Sequence, residues 1–298
     1  MSRDGASRRS KMEEAAASIS IPEIVHAAWT GIAPELSVGQ IWRARWHDQV
    51  QLVTILNTDQ QTTVLPLSFD LDYVDATSAR IAAKASPFGV PTVAWRTLKR
   101  GVSNVILDRF AGWLASEATA ALLADEPPEQ DSDNRPTPHP VRLYRAMIED
   151  TMDELSAVQW HGDGSGELSA LLQNSNLRVQ DVAETLKTRP QRALAIWRGQ
   201  APLSEGEASE IAPKLGESVQ RILAANPTPP EELIDCLEQS RRHHQVLAYA
   251  ARHDFDAATA YRDLSYQAWA LAARQTGQKT PNWDLRLDTL FAAVLDEY

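Results

Sequence analysis

The stretch Val179-Gln180-Asp181-Val182-Ala183-Glu184-Thr185-Leu186-Lys187-Thr188-Arg189-Pro190-Gln191-Arg192-Ala193-Leu194-Ala195-Ile196-Trp197-Arg198-Gly199 decides how the chain is read. Val179 to Leu186 has the pattern of a short helix, Lys187-Thr188 that of a tight connection, and Arg189 to Trp197 that of a second helix with Gly199 as its stop signal. Working outward, Leu168 to Leu172 predicts a helix before this pair. Ser204 to Leu215, closed by Gly216, and Ser218 to Ala225 predict two after it. Five short helices in under 60 residues, joined by short turns, describe a compact helical bundle.

The same stretch stands apart in charge. Residues 187–198 hold Lys187, Arg189, Arg192 and Arg198 and no Asp or Glu. The whole chain of 298 residues has 29 Lys+Arg against 40 Asp+Glu, a formal net charge of -11. Such a balance argues against a protein that coats nucleic acid or lies broadly on anionic lipid, and leaves room for a small basic head on an acidic body. A helix N-terminus adds backbone N–H groups and a positive dipole end suited to phosphate.

On these residues the segment resembles the Xre family of helix-turn-helix domains, the lambda-repressor and Cro-like class. An apolar residue and a Gln early in helix two, then an Ala and a Leu, match Val179, Gln180, Ala183 and Leu186. Arg198-Gly199 matches the basic residue and Gly that close the recognition helix, Ser204 the start of helix four, and Ile211-Ala212-Pro213-Lys214-Leu215-Gly216 its end. The register runs without a gap from Val179 to Gly216, and the match covers about a fifth of the chain. Lys187 stands where the family carries Gly, Arg189 where it carries Ser, and Trp197 where it carries an acidic residue. The resemblance implies double-stranded DNA as partner. It sets Arg189, Gln191 and Arg192 at base edges in the major groove, where Arg suits guanine and Gln suits adenine. Lys187 and Arg198 are assigned to phosphate, and Gln180 and Thr188 complete the candidate DNA-binding set. Dimers reading symmetric half-sites are the usual arrangement, so a homodimer is expected.

Ahead of the bundle, the front of the chain reads as short strands. Gly39 to Trp46 and Val50 to Leu56 flank the polar turn His47-Asp48-Gln49 and predict a hairpin. Thr62 to Leu67, Arg80 to Ala83, Pro91 to Trp95 and Val102 to Leu107 predict further strands, followed by a helix-like run from Arg109 to Leu123. Five or six closely spaced strands predict a small SH3-like β-barrel. Gly39 to Trp46, and Val102 to Leu107 followed by Asp108-Arg109, are similar to parts of the PemK/MazF-like barrels, whose members cut RNA. The catalytic Arg of that family has no counterpart in the short first loop. Arg45, His47 and Asp48 remain as an acid–base set for a ribonuclease alternative. The expectation is a non-enzymatic interaction domain.

The expected fold class is α+β, in five parts: a leader at residues 1–36, a barrel-like domain at 37–124, a Pro-rich acidic linker at 125–140, the Xre-like domain at 141–226 and a helical C-terminal domain at 227–298. Leu143, Met147 with Ile148, Met152 and Leu155 recur at helical spacing at the start of the 141–226 part. The tail shows apolar stripes at Leu233, Leu237, Val246, Leu247, Ala250 and Ala251, at Tyr261, Leu264, Ala268 and Leu271, and at Leu285, Leu287, Leu290, Phe291 and Leu295. Arg241-Arg242-His243-His244 reads as a solvated helix face, with phosphate contact as the alternative.

Other chemistry is sparse. One cysteine, Cys236, excludes an internal disulfide and a Cys-rich zinc site, and its apolar context predicts a packed thiol. Adjacent histidines point to different helix faces, so His243 and His244 do not converge on a metal. No cofactor or metal is expected. No apolar run approaches the roughly 20 residues of a membrane span, no secretory signal is expected, and a cytoplasmic location fits. The reading is a DNA-binding transcriptional regulator, by analogy a control protein of a toxin–antitoxin or defence locus. The barrel or the C-terminal helices would serve as its dimer or partner surface. Its alternatives are a MazF-like ribonuclease fused to a DNA-binding control domain and a protein-binding adaptor.

Overall fold

A computed structural model describes residues 33–59, 61–124, 137–161, 164–274 and 281–295. The leader up to residue 32 and residues 125–136 of the expected linker lie outside them. The fold is α+β: an antiparallel sheet of seven strands followed by eleven helices among the described residues.

The strands are β1 (Gln40–Trp46), β2 (Gln49–Asn57), β3 (Thr62–Ser68), β4 (Ser78–Ile81), β5 (Thr92–Trp95), β6 (Arg100–Val102) and β7 (Leu107–Trp113). Their order is β4-β5-β3-β2-β1-β7, with β6 pairing β3 beyond the end of β5. The expected barrel is not supported, because β4 and β7 lie at opposite edges and the sheet does not close. Helices take the place of closure, since both faces are covered. Side chains alternate along each strand: Ile41, Leu65 and Ala94 face one layer with Leu122, while Trp42, Val64, Val93 and Trp95 face the other with the tail helices.

One strand and one helix expectation are corrected at the join to β7. Val102 to Leu107 is no strand: β6 ends at Val102, and Asn104–Ile106 form a single 3-10 turn. Asn104 is fixed there by Thr62 (Oγ1 to Oδ1, 2.5 Å) and by the Glu238 carboxylate, which accepts its backbone N–H at 2.9 Å. The helix expected from Arg109 begins only at α1 (Ser116–Leu123), because residues 107–113 satisfy the free edge of β1. Gly112 has φ +127°, a value foreign to a helix, and a Cβ there would sit 2.7 Å from Pro87. The strand expected at Arg80–Ala83 runs instead over Ser78–Ile81.

The helix α2 (His139–Ser156) buries Val141, Ile148, Met152 and Leu155, whereas Leu143 and Met147 are exposed. Its buried stripe packs with the sheet core and not with the helices of residues 168–226. The bundle consists of α3 (Leu168–Asn174), α4 (Val179–Thr185), α5 (Pro190–Trp197), α6 (Glu205–Leu215) and α7 (Val219–Ala224). It has its own core, centred on Leu172, Val182, Ile196, Ile211 and Ile222. The tail forms α8 (Glu231–Leu237), α9 (Ser240–His253), α10 (Ala257–Arg274) and α11 (Trp283–Leu295), whose apolar faces close over the sheet.

Arg241 to His244 is not a solvated face. Arg242 is 1% exposed and bonds Asp284 and Asp288, each at 2.8 Å, while Arg241 reaches Asp284 at 2.7 Å. The pair of arginines braces α9 to α11, and the Arg242 hydrogen bond holds the Asp284 carboxyl below its ordinary range. His243 is fully buried between Leu107 O (2.8 Å from Nε2) and Tyr261 Oη (3.0 Å from Nδ1). A carbonyl only accepts, so Nε2 carries the proton and Nδ1 accepts from the tyrosine hydroxyl. Glu238 joins the same region, accepting from Trp160 Nε1 at 2.6 Å and Ser103 Oγ at 2.5 Å.

Candidate nucleic-acid interface

The connection from α4 to α5 is a Schellman turn. Thr188 N–H donates to Ala183 O at 3.1 Å and Lys187 N–H to Glu184 O at 3.4 Å, with Lys187 in the left-handed region at φ +48°. This conformation is the one glycine adopts without strain, and here a lysine takes it. The turn leaves Lys187 exposed and Thr188 half-buried.

Pro190 opens α5, because its fixed φ suits the first helical position and it has no N–H to leave unpaired. Arg189 is therefore the residue flanking the helix and not its first turn, and no side chain caps the helix start. Ala193 and Ile196 bury one face of α5 against the bundle core. Gln191 is exposed on α5, and Arg189 and Arg198 are exposed at its two flanks. Among the described residues neither the Arg189 nor the Gln191 side chain makes a hydrogen bond or an ion pair. Gln180, in the first turn of α4, is exposed as well.

Arg192 differs from its expected place at base edges. Its guanidinium grips Glu207: Nη2 lies 2.9 Å from both carboxylate oxygens and Nε 3.2 Å from Oε1. Glu207 also accepts from Ser204 N at 2.9 Å, while Ser204 Oγ accepts from Glu207 N at 3.2 Å, a capping box at the start of α6. The α6 cap thus directs a carboxylate at Arg192, and the side chain is committed to the protein.

Two further cations flank α4 at its two ends, and sequence reasoning missed them. Lys214, from the last turn of α6, places Nζ 2.7 Å from Thr185 Oγ1 at the end of α4. Arg178 is exposed just before α4, its N–H held by the Asp181 carboxylate at 2.6 Å. The position of Lys214 depends on how α6 packs on α4, and no local pattern reports it.

Lys187→Gly separates the backbone role of this residue from its charge. The variant is expected to be more stable by about 0.5–1 kcal/mol, since the left-handed residue loses its Cβ penalty and only part of that gain is offset by unfolded-chain entropy. Thermal melting checks this, and a lowered midpoint would contradict it.

The other candidate groups do not converge. Arg45, His47 and Asp48 lie at the exposed β1–β2 turn, where His47 takes φ +50° and its ring packs on Trp46 at 5.1 Å. Asp108 is spent on Arg43 (Nε to Oδ1, 2.8 Å), which raises the guanidinium still further above its ordinary value. Cys236 is half-buried, and burial pushes its thiol up, away from a reactive thiolate. Among the described residues no group of three or more His, Cys, Asp or Glu side chains is placed to hold a metal ion, and no helix is long and apolar enough to cross a membrane. No protein-family model matches the chain, and no curated protein matches it.

Proposed function

We propose that this protein is a sequence-specific double-stranded-DNA-binding transcriptional regulator that presents α5 to the major groove in the manner of an Xre-like helix-turn-helix. The observation that carries the proposal is the pair Arg189 and Gln191, exposed and unengaged at the uncapped start of α5. Lys187 stands beside them on a Schellman turn. Guanidinium and carboxamide groups at that place offer the bidentate patterns that read guanine and adenine. Arg178, Lys187, Arg198 and Lys214 supply the charge that positions a duplex. Arg192, committed to Glu207, moves from a base reader to a residue that holds α5 against α6.

A single bundle of this size makes few contacts, and a homodimer reading two half-sites is part of the proposal. Its location is cytoplasmic, and its place as a control protein of a toxin–antitoxin or defence locus rests on analogy with such regulators. Selection from a random pool of 25-base-pair duplexes tests the function. Enrichment of a motif, with a second inverted copy about one helical turn away, is the expected result. A pool that stays random after repeated rounds contradicts it and favours the protein-binding adaptor.

A further inference from the structure

The bundle meets the tail along a cleft of about 630 Å³ between α5, the loop before α6, and α10. The joint beneath it is sewn by backbone contacts. Tyr266 Oη donates to Pro227 O, Thr228 Oγ1 to Gly164 O at 2.8 Å, and Asn226 bonds Leu203 in both directions at 2.8 and 3.0 Å. A Cβ on Gly164 would meet Asn226 O at 2.1 Å, so only glycine lets the chain pass there. The cleft is thus a fixed feature of the joint, of a volume typical of small-molecule sites, which favour domain interfaces.

Its lining is amphipathic. Pro202, Leu203 and Leu223 supply apolar groups, and two arginines line it from different elements, Arg192 from α5 and Arg262 from α10. Each guanidinium has donors to spare among its five N–H groups. Arg192 meets Glu207 through Nε and Nη2 and keeps Nη1, while Arg262 spends only Nη2, on Trp160 O at 3.3 Å. The one carboxylate named in its lining, Asp263, has its Oδ2 held by Tyr249 Oη at 2.6 Å and Gln267 Nε2 at 2.8 Å. Two guanidiniums that line one cleft beside apolar groups, each with N–H donors to spare, suit an anionic head on an apolar body.

We propose that this cleft binds a small organic anion, a phosphate or carboxylate carried on an apolar ring, between Arg192 and Arg262, and that its occupancy weakens DNA binding. The second half rests on the DNA-binding function proposed above. The bound anion adds negative charge beside α5 and opposes the phosphate backbone there. By linkage, DNA weakens the ligand by the same factor.

Calorimetry on the full chain, without DNA, tests the site with AMP, phenylacetate, inorganic phosphate and uncharged adenosine. AMP or phenylacetate is expected to bind with a Kd below about 1 mM, and which of them does so distinguishes a phosphate from a carboxylate head. Inorganic phosphate alone and adenosine alone are expected to be at least about tenfold weaker, each lacking half of the recognition. Arg262→Gln is expected to weaken the binding probe about tenfold or more, by loss of a charged hydrogen bond, with its DNA affinity unchanged. Neither AMP nor phenylacetate binding below about 1 mM, adenosine binding as well as AMP, or Arg262→Gln binding like the wild type would each overturn the site. The saturating probe is then expected to lower affinity for the selected duplex about fivefold or more. A duplex affinity unmoved by a bound probe overturns the regulatory half. Failure of the probes with intact DNA binding removes this inference alone, and probe binding without DNA binding removes the DNA-binding function and the regulatory half with it, while the site itself stands.

Discussion

The double variant Arg189→Ala/Gln191→Ala is expected to lose at least about thirtyfold in affinity for its selected duplex. Each bidentate base contact contributes about 1–3 kcal/mol of discrimination, so two together represent about 2–6 kcal/mol. Both side chains are exposed and make no hydrogen bond or ion pair among the described residues, so their removal costs the fold only about ±0.5 kcal/mol. Thermal melting therefore stays put while binding falls. The loss is confined to the selected sequence, and affinity for random duplex, carried by phosphate contacts, drops much less. Equal losses on both duplexes would make these residues generic phosphate contacts. No loss on either would remove α5 as the reading element.

A second large effect concerns pH. His243 is held neutral, its pKa lowered to about 4 chiefly by burial, with the neighbouring charge of His244 acting in the same direction and the Leu107 carbonyl opposing it. An unfolded histidine titrates near 6.5. Between these values the unfolded chain binds a proton that the native protein refuses. The stability contributed by neutral His243 is therefore fully present above about pH 6.5 and is lost as the pH falls toward 4, amounting to about 2–3 kcal/mol by pH 4.5. Glu238, raised chiefly by burial, acts with the opposite sign, its stability falling as the pH rises through the raised value. Comparison with His243→Phe cancels that contribution, because Glu238 is common to both proteins. The variant is less stable at pH 7.5, where the Tyr261 hydroxyl and Leu107 carbonyl lose their partner, and the gap between the proteins closes by about 2–3 kcal/mol at pH 4.5. Urea midpoints at the two pH values check this. A gap constant to within about 0.5 kcal/mol would place the titrating group elsewhere.

Local signals carried the bundle and tertiary pairing carried the rest. The helices α5 to α7 were legible because each has its own marker: Ser204 and Ser218 as caps, Pro190 at a first turn, Gly199 and Gly216 in left-handed closures. The alternating strands β1 to β3 were legible for the same reason. β7 was hidden, since Leu107–Trp113 becomes a strand only by completing the edge of β1. The open sheet was hidden too, because which strands pair is a long-range outcome. The stripe of α2 misled through Leu143 and Met147, two apolar residues on the solvent side of an otherwise amphipathic helix. At the interface, composition pointed to Lys187, Arg189, Gln191 and Arg198. It could not reveal that Glu207, fifteen residues from Arg192, turns back to hold it, nor that α6 delivers Lys214 to Thr185.

The central claim is that a cationic face built on α4, α5 and α6 meets a duplex. Its most direct measurement is the dependence of the binding constant for the selected duplex on salt concentration. If Arg178, Lys187, Arg198 and Lys214 each meet a phosphate, as proposed, the slope of log K against log salt is about -3 to -4 per protomer, and Lys187→Gly lowers its magnitude by about one. A slope near zero, or binding too weak to measure at low salt, would contradict the claim.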